Sequence, residues 1–318
     1  MKHIVLISTL ALVGGGGVSA DVKLAQYWSF DGASQQNQRV PSSGLANELG
    51  NDSSGLWTLY HKTTSESPNE NGDMALAYNV NNLTGLDKNP AGYGSSGTYD
   101  NYLHLGIDNQ NKGSYLTCAG TQLDFSKAWS YSVTSWLKPQ SINRGEGISL
   151  FSIGDANLGM QLVYHEDRGS LSFEMNGMTY SGNFSSLTGI APPSSQGWDF
   201  RHVGFSMEYN GNGQLVVNYY LNGQMTNAGT ITVTDTNTLM NGFTLGAQGK
   251  DGGLTQSCNY DDVKIFTGVL DDQEILDAMK KGPGDFEIDV PSSPSVPEPS
   301  SALLSCIGFA SLLLRRRR

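Results

Sequence analysis

Six residues in the first third of the chain have side chains suited to holding a sugar: Trp57, Tyr60, His61, Tyr93, Tyr99 and Tyr102. Aromatic faces combine a large apolar area with a polar edge, which is what stacking on a pyranose ring and bonding its hydroxyls requires. All six lie in Ser-, Asn- and Gly-rich sequence of the kind that forms surface loops, where binding residues concentrate. The same aromatics could instead pin long loops to a sheet, and the sequence leaves both readings open. His165-Glu166-Asp167 offers acid–base or metal chemistry, but adjacent residues on a strand point to opposite faces. The three converge only across a turn, so a solvated hairpin tip is the plainer reading. The chain contains no zinc-ligand spacing, Gly-rich phosphate loop or Ser-centred nucleophile elbow.

Such residues need a scaffold, and the composition points to sheets. Charged residues are only 15% of the 318, glycines number 39, and Val, Thr, Tyr and Ser recur in short runs broken by turn formers. That pattern favours many short strands over a helical bundle. KLAQYWSFDG (23–32) opens with closely spaced apolar residues, and SYLTC (114–118) is a short strand. In WSYSVTSWLKP (129–139), Tyr131, Val133 and Leu137 share one face and Ser132, Thr134 and Trp136 the other. GISLFSIG, GMQLVYHE and SLSFEM follow as an antiparallel meander. RHVGFSMEY (201–209) reads as a half-buried strand, with Val203, Phe205, Met207 and Tyr209 inward. NGNG (210–213) and Asn222-Gly223 supply the residues that tight hairpins need.

Residues 32–113 are loop-rich, with LWTLYH, MALAYNV and YLHLGI as their only periodic runs. One helix is predicted, over DDQEILDAMKKG. Asp271 caps it, Glu274 completes a capping box, Leu270 and Ile275 form a staple, and Gly282 ends it. Its amphipathic stripe is expected to pack against a sheet edge. Residues 283–300 form a proline-rich acidic linker.

The formal net charge is -11, from 30 acidic and 19 basic residues. Five of the basic ones, Lys2 and Arg315 to Arg318, sit in the terminal segments, so the middle is more acidic still. A surface without a basic footprint excludes nucleic acid as a partner. Residues 1–20 have the layout of an export signal: a basic start, an apolar stretch from Ile4 to Val13, and Val18-Ser19-Ala20 as a cleavage site. The mature chain then begins at Asp21. In an oxidising compartment Cys118 and Cys258 could form a disulfide. It would close a loop of about 140 residues, worth roughly 4–5 kcal/mol. The alternative is two buried thiols.

Four stretches together resemble the LamG-like, concanavalin A-like domain family: AQYWSFDG, SYSVTSWLKP, WDFRHVGFSMEYNGNGQLVVNYYLNGQ, and NGFTLGAQ followed by NYDDVKIFTGVLDDQEI. The resemblance covers most of residues 21–282. It implies an all-β, two-sheet antiparallel jelly-roll sandwich, with Trp28, Trp136 and Trp198 in strand positions and His202 as part of the fold. It also implies a structural calcium ion, for which Asp31, Asp251, Asp261 and Asp262 are the candidate ligands, since calcium selects hard oxygen donors. Some relatives hydrolyse glucans with two carboxylates on one strand in a Glu-x-Asp-x-x-Glu pattern. Here Glu287-Ile288-Asp289 lies in the linker and does not continue that way, so the expectation is a domain without catalysis.

The last stretch, residues 296–318, resembles the PEP-CTERM sorting signal of exported bacterial proteins. Pro297-Glu298-Pro299 is its triplet, residues 301–314 its apolar helix, and Arg315, Arg316, Arg317 and Arg318 its basic end. At 1.5 Å per residue the apolar run spans about 21 Å, short of a hydrocarbon core of about 30 Å. The resemblance implies a transient transmembrane anchor in the inner membrane, processing by an exosortase-type enzyme, and a surface or extracellular-matrix destination in a two-membrane bacterium. Together these features predict a surface-sorted module that recognises a polysaccharide or matrix glycan. A purely structural or adhesive envelope protein is the alternative, and a polysaccharide hydrolase a third.

Overall fold

Strands that alternate apolar and polar residues can bury their apolar faces only against another layer, and this chain does so by stacking two antiparallel sheets. A computed structural model of the protein describes residues 22–30, 45–49, 56–63, 74–78, 101–105, 114–139, 147–165, 168–189, 200–249, 258–280 and 282–289. The export signal, most of the linker and the apolar terminal stretch expected from the sequence lie outside these residues. By its internal contacts the chain divides into Met1–Ile288, which holds both sheets, and Asp289–Arg318. Among the described residues no helix is long and apolar enough to cross a membrane.

In chain order the strands are β1 (Lys23–Trp28), β2 (Tyr60–Thr63), β3 (Met74–Tyr78), β4 (Asn101–Leu105), β5 (Ser114–Asp124), β6 (Ala128–Pro139), β7 (Ile148–Gly154) and β8 (Gly159–His165). They continue as β9 (Ser170–Asn176), β10 (Tyr180–Ser181), β11 (Arg201–Asn210), β12 (Gln214–Leu221), β13 (Gln224–Val233), β14 (Leu239–Leu245), β15 (Cys258–Thr267) and β16 (Glu287–Ile288). The helix α1 (Asp272–Ala278) lies between the last two. One sheet runs β10-β13-β12-β11-β6-β15-β1-β16, with β4 beside β15 and β3 beside β4; the other runs β2-β5-β14-β7-β8-β9. Every pairing is antiparallel except the two-residue β16 against β1.

The alternation read from the sequence predicts the interior. Val203, Phe205, Met207 and Tyr209 of β11 are all buried between the sheets, as are Tyr131, Val133 and Leu137 of β6. Aromatic contacts join the layers: Phe151 meets Phe205 with ring centroids 6.2 Å apart, and Trp28 stacks on Phe243 at 6.4 Å. The two Asn/Gly hairpins form where expected. In the second, Asn222 and Gly223 both take positive φ, 48° and 82°, as a two-residue turn with primed geometry requires.

Two expectations change. The strand β11 is buried on both faces along most of its length, because His202, Gly204 and Ser206 are covered as well. The cover comes from α1, which lies on the face of the ten-stranded sheet and not along its edge. Its Ile275 and Ala278 join Leu270, Leu24, Tyr27, Tyr220 and Phe266 in a second core. Outward apolar groups on β1, β12 and β15 left a patch spanning five strands, and a short amphipathic helix closes it. Asp271 caps the helix by accepting from the Gln273 and Glu274 amides, and Glu274 accepts in turn from the Asp271 amide, so the capping box is complete.

Candidate functional site

The acidic residues of β15 sit beneath α1. Asp261 and Asp262 lie at a bulge in the pairing of β15 with β6, where Asp262 takes a φ of 45°. Both are buried. The Tyr27 hydroxyl donates to Asp262, and the Asp262 amide donates to the Asp261 carboxylate at 2.9 Å. Two residues on, the fully buried Lys264 donates to the carbonyls of Ala278 at 2.9 Å and Lys280 at 2.5 Å. Trp136 Nε1 donates to the Met279 carbonyl at 3.0 Å. The last turn of α1 has no basic residue of its own, so two side chains from the sheet satisfy the carbonyls that every helix leaves open at its C-terminus. Burial holds the Lys264 ammonium at a pKa of about 8, against the opposing pull of Asp262 and Asp261. The two aspartates therefore fit an internal charge group better than a calcium shell of six to eight oxygens. Asp31 and Asp251 lie outside the described residues. Among the described residues no cluster of three or more His, Cys, Asp or Glu side chains could hold a metal ion.

His202 lies in the same layer. It is fully buried, its ring centroid is 5.4 Å from that of Trp136, and neither ring nitrogen has a hydrogen-bond partner among the described residues. Burial first, and the Lys264 charge second, hold its pKa at about 3, so it is a neutral packing group at physiological pH.

The candidate disulfide does not form. Cys118 pairs with Phe243 in the six-stranded sheet, whereas Cys258 pairs with Leu105 and Pro139 in the other. Both are buried thiols in the main core, and burial pushes the Cys258 thiol well up. Facing sheets stand about 10 Å apart, beyond the roughly 4.4–6.8 Å Cα separation that a disulfide spans.

Among the aromatic candidates, Trp57 packs against the main core. Its indole occupies the space a side chain would take at Gly120, where a Cβ would lie 2.2 Å from the ring. Trp57 thus pins its turn to β5. Tyr60, on the edge strand β2, is 44% exposed. Tyr93 and Tyr99 lie outside the described residues, as do the side chains of His61 and Tyr102.

A polar group that the sequence reading does not assemble lies on the outward face of the six-stranded sheet. The register of β8 and β9 pairs Gln161 with Glu174, Val163 with Ser172 and His165 with Ser170. Met160, Leu162 and Tyr164 alternate with them and fill the core, as do Leu171, Phe173 and Met175 from β9. On the outward side His165 Nε2 lies 2.7 Å from Ser172 Oγ and 3.6 Å from Glu174 Oε1. The Ser172 hydroxyl reaches the same carboxylate oxygen at 3.3 Å, and Gln161 Nε2 donates to the other at 3.0 Å. His165, then Ser172 and Gln161, hold the Glu174 carboxyl below its ordinary range despite partial burial. The Glu174 and His165 side chains are 38% and 17% exposed. This is not a nucleophile relay, because serine and carboxylate both converge on one imidazole nitrogen and a relay needs them on opposite ones. It is an arrangement for holding hydrogen bonds.

The signal is present in the sequence all the same. The antiparallel register of β8 and β9 pairs His165 with Ser170, and Gln161 with Glu174 follows from it at two-residue steps. The described partners of His165 thus lie across the hairpin, at Ser172 and Glu174, while Glu166 and Asp167 lie outside the described residues.

A two-layer antiparallel sandwich with a helix closing one outer face and a polar cluster on the other is a jelly-roll domain of the lectin type. The chain belongs to the concanavalin A-like lectin/glucanases superfamily, whose family model matches residues 108–276. Residues 295–318 match the PEP-CTERM protein-sorting motif, which marks the chain for export and sorting. No curated protein matches the chain in sequence. Among solved structures it is similar to domain 4 of AbnA, a GH43 extracellular arabinanase from Geobacillus stearothermophilus, in complex with arabinotriose. That match has 19% identity and a TM-score of 0.42, over 82% of this chain and 100% of the other. It is also similar to the botulinum neurotoxin serotype D binding domain, at 14% identity and a TM-score of 0.44, over 80% of this chain and 50% of the other. The binding domain of botulinum neurotoxin DC in complex with SialylT gives 13% identity and a TM-score of 0.43, over 78% and 51%. The chain spans about half the length of the two toxin domains it matches.

Proposed function

We propose that this chain is a binding module, exported and then sorted to the cell surface or extracellular matrix of a two-membrane bacterium, that recognises a polysaccharide without hydrolysing it. The observation that carries the reading is the Gln161–His165–Ser172–Glu174 cluster on the outward side of β8 and β9 in a lectin-type sandwich, where Glu174 is part-exposed. A carboxylate, an imidazole, a hydroxyl and an amide side by side are the groups that bond sugar hydroxyls. The sorting motif at residues 295–318 supports the destination and implies an exosortase-type processing partner. Exposed aromatics among the described residues are Tyr60, on β2 at the opposite edge of the same sheet, and Tyr180 on β10 of the other sheet.

The experiment is retention of the full chain, purified in mild detergent, on a panel of insoluble polysaccharides with and without a chelator. Retention by at least one polymer, with no release of soluble sugar, is expected. Failure on every polymer refutes the reading in favour of a structural envelope protein, and released product refutes the absence of catalysis. Loss of retention in the chelator arm alone shows that binding requires a divalent cation, and restoration by added calcium identifies it.

A further inference from the structure

We infer that Asn176 is a site of spontaneous covalent modification, where the side-chain amide is lost through a cyclic imide and an aspartyl or isoaspartyl residue remains. The chemistry is intramolecular. The main-chain nitrogen of the next residue attacks the Asn Cγ, a C–N bond forms, and the side-chain nitrogen leaves as ammonia. One water then opens the succinimide at either carbonyl. The sum is one water consumed and one ammonia released, with no oxidant and no enzyme. A following glycine favours the attack, because no Cβ stands beside the incoming nitrogen.

Asn-Gly steps begin at Asn71, Asn176, Asn210, Asn212, Asn222 and Asn241. By sequence they are equivalent, and the fold separates them. Asn71 lies outside the described residues. Asn210 Oδ1 accepts from the amides of Asn212 at 2.8 Å and Gln214 at 3.0 Å, and its Nδ2 donates to Gln214 Oε1 at 3.3 Å. Asn222 Oδ1 accepts from the His202 amide at 3.1 Å, and Asn241 Oδ1 from Gln122 Nε2 at 3.2 Å. At Asn212 the nucleophile is held instead, since the Gly213 amide donates to the Tyr209 hydroxyl at 3.1 Å. Each of these four must break a hydrogen bond before its ring can close, which slows closure by about tenfold per bond.

Asn176 carries neither restraint. It is the last residue of β9 and is part-buried, and its side chain makes no hydrogen bond among the described residues. Its pairing with Gly159 is the final rung of the β8–β9 ladder, so the Gly177 amide stands beyond the ladder. Among the described residues that amide makes no hydrogen bond either. Gly177 is exposed and takes a φ of 73°, so the chain turns out of the strand at this step and water reaches it. Either product leaves a carboxylate two residues from Glu174 on the same outward side of β9. Conversion thus adds like-charge repulsion to a domain already rich in acidic groups, 30 against 19 basic in the chain.

The test incubates the full chain in mild detergent, at mildly alkaline pH, in water enriched in heavy oxygen. Peptide mapping by mass spectrometry in ordinary water follows. The label enters only residues that convert during the incubation, one oxygen per event, so earlier damage is not counted. A second arm holds the chain unfolded in urea. In the folded chain, Asn176 is expected to take up label at least about tenfold faster than Asn210, Asn212, Asn222 and Asn241. In urea the five should convert within about threefold of one another, because only local sequence then acts. The comparison is made within one wild-type molecule, so no variant has to fold. A folded-state rate at Asn176 no faster than at the other four overturns the inference. So does the same preference for Asn176 in urea, which would trace it to sequence and not to the end of β9.

Discussion

Acidification should unfold this domain in a way that traces to one residue. Neither ring nitrogen of His202 has a partner among the described residues, and burial, with Lys264 beside it, holds its pKa at about 3 instead of 6.5. Below pH 6.5 the unfolded chain binds a proton at this position while the folded chain does not. Stability therefore falls as pH drops from 6.5 towards 3 and levels off below that. Each unit of that window costs up to about 1.4 kcal/mol, so by pH 4 the loss is about 3 kcal/mol. That is a large share of the 5–15 kcal/mol that usually holds a domain together. The assay is urea unfolding at pH 7, 5.5 and 4 for the wild type and for His202→Leu, which keeps an apolar group against Trp136 and removes the titration. Carboxylates contribute equally to both proteins and cancel in the difference. The variant is expected to gain about 3 kcal/mol relative to wild type between pH 7 and pH 4. Parallel pH profiles for the two proteins would refute the argument that His202 is buried neutral.

Lys264 should act at the other end of the scale. With its folded pKa lowered to about 8, the unfolded chain binds the proton more readily between pH 8 and about 10.5. Wild type should then gain stability relative to Lys264→Met by up to about 1.4 kcal/mol per pH unit across that window, read by urea unfolding. At neutral pH the same variant should be less stable than wild type by about 3 kcal/mol, because the carbonyls of α1 and the buried aspartates lose their cation. Gly120→Ala should cost about 1–3 kcal/mol, since its Cβ displaces the Trp57 indole. A shift in tryptophan fluorescence should accompany the loss, and an unchanged spectrum and melting temperature would count against the packing described.

Much of the sandwich was legible because strand alternation is a local property. The inward sets of β6 and β11 follow from a two-residue period alone, and the Asn-Gly turns fix where hairpins reverse. The capping box of α1 could be read from Asp271 and Glu274 for the same reason: all its bonds lie within four residues. What the helix covers could not be read that way. Its docking surface draws on β1, β12 and β15, separated by up to about 240 residues, and nothing in the helix sequence names them. Cys118 and Cys258 illustrate the same limit, since an export signal makes a disulfide chemically permissible while only the assignment of each cysteine to a sheet decides whether they meet.

The candidate site divides along this line. By itself the sequence determined the family and the sorting address at residues 295–318, because motifs and periodicities are short-range patterns. Tertiary structure decided which polar residues work together. It placed Asp261 and Asp262 beneath α1 with Tyr27 and Lys264, and pressed Trp57 onto Gly120. It also joined His165 to Ser172 and Glu174 across a hairpin. The physical reason is that strand residues contact partners set by register, and register is fixed by burial of the opposite face in a core that the whole chain builds.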